Sequence, residues 1–500
     1  MKISCVTPAK ATNHCIVLGV TTQDDERLCP SAAAIGEADH EFIPMYLKTE
    51  AVGLGLGQAH ATPGKKALLV LVGLGDPAKL TQEKLGKAMA NGLALAKRTG
   101  AHDVSTTLVA DAIHADGLDA ATATRGVVTG AICGDLAFDQ YKSKPTGKDA
   151  KKDKPRIDSL QLLHDKPAAV RKAAKDAATI AHAVNDARLL ANMPANIMTP
   201  KRMATEARSR GRKHGFKVSV KGRSALRKEG FNALCGVAQG SANEEQLITM
   251  TYEPEKVTKS TKTLVVVGKG VCFDSGGISL KPGNLMWDMK YDKCGACNVV
   301  ALMTTLKDLG VKHRVIGVVA AVENMPGGNA QRPGDIVTAK DGTTIEVLNT
   351  DAEGRLILAD AITYARETFK PDWMVDMATL TGACEIAVGK THVAIMSKDD
   401  DFAESLLDAA KRAGDKGWRL PQGEEFDDGN KGTYADLQNI SLSVKAGTSI
   451  GGAFVGHFAK DTTFAHLDIA SKAWVKSLDY FGEGPTGAGL RIVLQRILDE

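Results

Sequence analysis

Four acidic residues, Asp274, Asp292, Asp351 and Glu353, fall in three polar clusters that also carry lysines and an arginine. The first cluster is Gly268-Lys269-Gly270-Val271-Cys272-Phe273-Asp274-Ser275-Gly276-Gly277-Ile278-Ser279-Leu280-Lys281-Pro282. The second is Asp288-Met289-Lys290-Tyr291-Asp292, and the third is Asn349-Thr350-Asp351-Ala352-Glu353-Gly354-Arg355-Leu356. Carboxylates gathered in one place repel, and one must take up a proton unless cations neutralise the group. Two divalent metals held by bridging carboxylates meet that need, and such a pair activates water for hydrolysis. Oxygen donors predominate, so the site suits Mn or Mg as well as Zn. The chain has no His-Glu-x-x-His run, which argues against a mononuclear zinc peptidase. Asp351, Glu353 and Arg355 stand at i, i+2 and i+4, and on an extended segment that spacing projects all three to one side. The competing reading is that each acidic or basic loop residue, taken singly, is a solvated surface group.

The clusters need elements to hold them. Thr263-Leu264-Val265-Val266-Val267 reads as a strand entering the first cluster. Further strands are expected at 314–322, 344–348, 373–378 and 391–396, with helices at 296–309, 356–369 and 402–413. Strands alternating with helices imply a largely parallel sheet covered on both faces, with its chemistry at the carboxyl ends of strands. Ahead of this region, Ala67-Leu68-Leu69-Val70-Leu71-Val72 reads as a buried strand, and residues 85–99 read as a helix. An Ala-rich helix is expected at 170–192, ended by Pro194, and it bridges the two halves. The lysine-rich stretch at 141–157 reads as a surface loop at or near the domain boundary. The expected fold is therefore α/β in two domains, a smaller N-terminal α/β domain and a larger catalytic one with a mixed, largely parallel sheet. The boundaries expected are 1–165 for the first domain, 166–193 for the linking helix and 194–500 for the catalytic domain.

Five hundred residues exceed the size of a single core, in keeping with two domains. A net charge of +4 gives no reason to expect dedicated nucleic-acid binding. No stretch approaches the roughly 18 apolar residues of a membrane span, and the N-terminus lacks the apolar core of a signal peptide. The nine cysteines are scattered, which fits a reduced, cytoplasmic protein. Cys294 and Cys297 form a lone C-x-x-C, read as small residues opening a buried helix. Gly447-Thr448-Ser449-Ile450-Gly451 has the form of a nucleophile elbow, but too little chain follows for the partner Asp and His. His466 lies in an apolar strand and reads as a structural histidine.

The run Asn349-Thr350-Asp351-Ala352-Glu353-Gly354-Arg355-Leu356 resembles the signature of the leucyl aminopeptidase family, and the first two clusters resemble that family's other metal-binding segments. The similarity extends from about residue 192 to the C-terminus and takes in Asn192-Met193-Pro194-Ala195-Asn196 and His466-Leu467-Asp468-Ile469-Ala470. The resemblance implies a metal-dependent aminopeptidase that removes N-terminal leucine and other apolar residues from peptides. It implies that Lys269, Asp274, Asp292 and Glu353 hold the tighter of two divalent ions (Zn, Mn or Mg), and that Asp274, Asp351 and Glu353 hold the more exchangeable one. A lysine ligand must lose its proton, so Lys269 is expected to have a depressed pKa beside the metals. Lys281 would stabilise the oxyanion, and Arg355 would hold a bicarbonate ion serving as general base. Met289, Thr379, Gly382, Ala470 and Ala473 would line the side-chain pocket. The family assembles as a hexamer of two trimers, so a homo-oligomer is expected. In one departure, Lys293-Cys294-Gly295-Ala296-Cys297 stands where relatives more often carry a small or apolar residue, then serine and alanine. Two rivals from other classes are a two-metal phosphatase or nuclease and a scaffold that keeps the fold without the reaction.

Overall fold

A computed structural model describes residues 1–23, 26–35, 37–40, 43–48, 53–115, 117–143, 156–284 and 286–500. Most of the lysine-rich stretch read as a boundary loop, at 144–155, lies outside the described residues. The chain forms two compact units, Met1–Asn185 with Ser477–Gly482, and Asp186–Lys476 with Glu483–Glu500. The helix Pro167–Asn192 starts in the first unit and ends in the second.

The first unit is built on a seven-stranded sheet, ordered Lys2–Val6, Ser159–Leu163, Asp103–Thr106, Cys15–Gln23, Leu68–Gly75 and Ala59–Pro63, with Glu26–Leu28 paired to Cys15–Gln23. Leu68–Gly75 and most of Cys15–Gln23 are buried along their length and pair in parallel. A continuous apolar run is the mark of a strand covered on both faces. The helix Gln82–Arg98 begins where the Thr81 hydroxyl accepts the N–H of Lys84, as an N-cap should.

The second unit carries an eight-stranded sheet. Its order is Gly417–Arg419, Val393–Met396, Phe464–Asp468, Trp373–Ala378, Thr263–Asp274, Arg314–Asn324, Gln246–Tyr252 and Lys217–Gly222. The middle four strands are parallel, whereas Val393–Met396, Gln246–Tyr252 and Lys217–Gly222 each run antiparallel to a neighbour. The sheet is thus mixed with a parallel centre. The helix Gly354–Phe369 is buried from Gly354 through Ala365 and packs its apolar face into a cluster that includes Val265, Ile316, Met374 and Phe454. The helix expected at 296–309 instead runs Cys294–Met303. The hydroxyls of Thr304 and Thr305 bond back to the carbonyls of Ala301 and Leu302 at 2.7 Å each, and this local competition ends the regular helix.

Candidate metal centre

The four central strands deliver polar residues to one edge of the sheet. Thr263–Asp274 ends on Asp274, Arg314–Asn324 on Asn324, and Phe464–Asp468 on Asp468, while Trp373–Ala378 leads straight into Thr379. The strand Thr344–Val347 feeds the run from Asn349 to Arg355, and Glu353 stands just before the helix Gly354–Phe369. A short 3₁₀ helix, Met286–Tyr291, precedes Asp292. The four central strands thus present their carboxyl ends here, where α/β sheets place their ligands.

The acidic residues converge. Asp274, Asp351 and Glu353 each present a carboxylate oxygen within 4.8 Å of the others. Lys269 Nζ lies 2.9 Å from Asp292 Oδ1 and 2.7 Å from Glu353 Oε1. Lys281 Nζ lies 2.8 Å from Asp274 Oδ2 and 2.6 Å from Asp351 Oδ1. Lys269, Asp274, Asp292 and Glu353 are all buried, while the side chains of Lys281 and Asp351 keep 21% and 31% exposure. The centre therefore opens to solvent on the Lys281–Asp351 side.

Burial and mutual repulsion set the electrostatics. Burial, then Glu353, pushes the Asp274 carboxyl up to about 7 despite Lys281 and Lys269. Burial likewise raises Asp292 well above its ordinary value, and raises Asp351. Burial pulls Glu353 upward too, but the Lys269 ammonium outweighs it and holds this carboxyl below the usual range. For Lys269, burial alone would favour the neutral amine. Asp292, Glu353 and Asp274 overcome it and raise its pKa, opposite to the direction expected beside metals. The reason is charge balance, since two ammonium groups offset half of four carboxylates.

Outside these groups lies a layer of hydrogen bonds that sequence reading did not single out. Thr379 donates its hydroxyl to Asp292 Oδ1 at 2.7 Å and accepts from Lys269 Nζ at 2.7 Å through its carbonyl. Asn439 accepts the N–H groups of Leu348 and Asn349 and donates to the Asn349 carbonyl at 2.6 Å, fixing the entry to the third cluster. Asp468 accepts from Leu380 N, Thr381 N, Thr381 Oγ1 and Ala470 N, and so pins the loop after Ala378. A polar pair, Glu323-Asn324, at the end of an apolar strand was the only signal for Asn324, and an asparagine after Leu437-Gln438 the only one for Asn439, whereas Asp468 lay in the run His466 to Ala470 without a role of its own.

Arg355 differs from the lysines. It is 7% exposed, with its guanidinium carbon 5.8 Å above the Phe454 ring. Among the described residues it forms no hydrogen bond or ion pair, and its Nε is buried without a partner. Burial lowers its pKa to about 10, with Glu353 and Asp468 pulling the other way. A buried, unpaired guanidinium is costly unless an anion meets it.

Comparison with known proteins sets this geometry in a lineage. The catalytic-domain profile of the cytosol aminopeptidase family matches residues 185–494, and the family's N-terminal-domain profile matches residues 17–145. The chain belongs to the cytosol aminopeptidase family. It is thereby a hydrolase, a metal-dependent aminopeptidase in class. It is similar to a probable cytosol aminopeptidase of Azotobacter vinelandii, at 39% identity over 489 residues, covering 96% of each chain. A probable cytosol aminopeptidase of Burkholderia pseudomallei is 39% identical over 491 residues, covering 97% of this chain and 95% of that one. A solved structure of the bottromycin maturation enzyme BotP in complex with Mn superposes with a TM-score of 0.84 at 30% identity, covering 98% of this chain and 100% of that one.

The remaining expectations can be placed on this aminopeptidase. Met289 is half-buried in the turn before Asp292, and its carbonyl accepts the Asp292 N–H at 3.3 Å. Thr379 and Gly382 flank Leu380 and Thr381, the residues held by Asp468, and Ala470 is held by the same carboxylate. Ala473 is 1% exposed, with its N–H bonded to the Ile469 carbonyl and its carbonyl accepting from Thr486 N. Cys294 and Cys297 are buried, unbridged thiols at the start of a helix, and burial raises both. Ser449 is buried within the helix Gly447–His457, not poised on a strand-to-helix elbow. His466 is buried with Nδ1 2.6 Å from Asp376 on the neighbouring strand, while its Nε2 has no partner among the described residues.

Proposed function

We propose that this aminopeptidase removes leucine and other apolar N-terminal residues from peptides through a centre of two divalent ions (Zn, Mn or Mg) held by Lys269, Asp274, Asp292, Asp351 and Glu353. The observation that carries this reading is a group of four carboxylates, three of them buried, balanced by only two ammonium groups. Among the described residues Asp292 Oδ2 is buried with no hydrogen-bond donor, while Asp351 Oδ1 and Glu353 Oε1 meet only the ammonium groups of Lys281 and Lys269. Such oxygens, with hard carboxylate chemistry, suit divalent cations.

When bound, the ions supply an activated water and positive charge for the scissile carbonyl and the free α-amine. Lys269 acts as a ligand only as the neutral amine, and added positive charge beside it reverses the balance that keeps it protonated. Asp292 and Glu353 hold Lys269 in place, and the Thr379 carbonyl takes one of its N–H bonds. Lys281, on the open side, stays protonated and offers its ammonium to the oxyanion that grows on the carbonyl. Arg355 binds bicarbonate, whose chemistry there is that of a general base. Its lack of a hydrogen-bond or ion-pair partner among the described residues supports that role. The polypeptide then needs no histidine base. Met289, Thr379, Gly382, Ala470 and Ala473, small or apolar residues, line the side-chain pocket by resemblance to the family. By family resemblance the chain assembles as a hexamer of two trimers and works in the cytoplasm.

The test compares leucyl-p-nitroanilide, its N-acetylated form and p-nitrophenyl phosphate. Turnover of the first alone is expected. Equal cleavage of the blocked amide would remove the exopeptidase reading, and turnover of the phosphate ester alone would favour a two-metal phosphatase.

A further inference from the structure

Asn324 stands where two acidic segments of the centre meet. It is the last residue of the strand Arg314–Asn324, in register with Asp274 across the sheet, and is 4% exposed. Its amide nitrogen donates to Asp274 Oδ1 at 2.8 Å and to the Thr350 carbonyl at 2.9 Å. Both partners are acceptors only, so they dictate which way the amide faces. Its backbone carbonyl accepts from Ser275 N at 3.0 Å and Ser275 Oγ at 2.7 Å. Across the turn, Gly277 has φ +68°, and a Cβ there would lie 2.7 Å from Asn324 Oδ1. The turn is thus shaped to leave space for this amide. Thr350 closes the circuit by donating to the Gly276 carbonyl at 2.6 Å and accepting from Ser279 N at 2.8 Å.

We infer that Asn324 is a positioning residue of the metal centre, holding Asp274 and the backbone leading to Asp351 at the separation that retains the second divalent ion. The inference rests on the two-metal reading above. Asp274 and Asp351 belong to segments far apart in sequence, and like charges push them apart. Apart from Asn324, the Asp274 Oδ1 atom receives, among the described residues, only the Gly276 N–H, at 2.9 Å. Asp292 and Glu353 are tied through Lys269 and Thr379 instead, with no bond to Asn324. Losing the amide therefore loosens Asp274, which both ions share, and the backbone leading to Asp351, which serves the second ion alone, while Lys269, Asp292 and Glu353 still hold the first.

The test titrates the metal-stripped, full-length protein with Mn(II), counting bound ions and recording electron paramagnetic resonance spectra. Wild type, Asn324→Ala and Asn324→Leu are compared, the leucine filling the space without donors. Wild type is expected to bind two ions per protomer with a spin-coupled spectrum. Both variants should bind one ion at near wild-type affinity and the second about 10–100-fold more weakly, giving the six-line signal of isolated Mn(II) at two equivalents. Two ions at wild-type affinity in both variants would overturn the proposal. Loss of both ions together would also overturn it, being the mark of a residue that only supports the fold. Fewer than two ions on wild type would instead remove the metal reading beneath it.

Discussion

A β-carbon placed on Gly354 would fall 2.6 Å from Nζ of Lys269 and 2.7 Å from its Cε. Gly354 opens a helix and needs no unusual backbone conformation, so the absence of a side chain answers to Lys269 and not to a turn. That lysine in turn reaches Asp292, Glu353 and the Thr379 carbonyl. One missing methyl group lets three segments of the centre share a cation.

Gly354→Ala should therefore destabilise the protein by about 1–3 kcal/mol, the usual cost of overpacking, and displace Lys269 from its carboxylates. Urea denaturation and leucyl-p-nitroanilide turnover read the two effects. Wild-type stability and activity together would show that the contact makes no such demand.

Arg355 should report on bicarbonate. In buffer freed of carbon dioxide, wild-type activity is expected to fall and to return as bicarbonate is added. Arg355→Ala should show no such response, with turnover reduced by roughly 10²–10⁴-fold as for loss of a general base. Its thermal stability should hold or rise, because an unpaired buried charge has been removed. A bicarbonate response that survives the substitution would place the anion elsewhere.

Asp415 and Lys472 form a buried pair at 2.6 Å, with Arg491 at 3.7 Å and the Gly489 N–H also on Asp415. Burial raises the Asp415 carboxyl, but Lys472 and Arg491 outweigh it and hold it below its ordinary value. The folded-state pKa is thus depressed, so this stabilisation is complete above the unfolded value of about 3.9 and fades as pH falls through the folded one. Asp415→Ala should cost about 3–5 kcal/mol at neutral pH by stranding a buried lysine. The deficit relative to wild type should shrink in denaturant melts below about pH 4. An equal deficit at both pH values would contradict the ionic origin.

Much of the catalytic unit was legible because its chemistry is clustered in the chain. The run from Asn349 to Leu356 carries acid, acid and base at alternate positions, and apolar stretches such as Thr263 to Val267 mark the parallel strands that feed the clusters. Asn324 and Asn439 were opaque for the opposite reason. Each is an uncharged polar residue outside the three clusters, and its partners lie tens of residues away in sequence, as Asn324 does from Asp274 and Asn439 from Leu348. The antiparallel flanking strands Gln246–Tyr252 and Lys217–Gly222 carry no pairing signal of their own, since direction is fixed by the sheet they join. Lys269 shows a further limit. The family resemblance implies a neutral ligand beside two cations, and the direction of its pKa depends on the total charge around it, which only the assembled site defines.

The central claim is that the buried carboxylates hold two divalent ions that the reaction requires. Metal-stripped protein titrated with Mn(II) while leucyl-p-nitroanilide turnover is followed tests it most directly. Activity should climb from near zero and level off at two ions per protomer, and Glu353→Ala, folded by circular dichroism, should stay inactive throughout. Full activity in the stripped protein, or in Glu353→Ala, would contradict it.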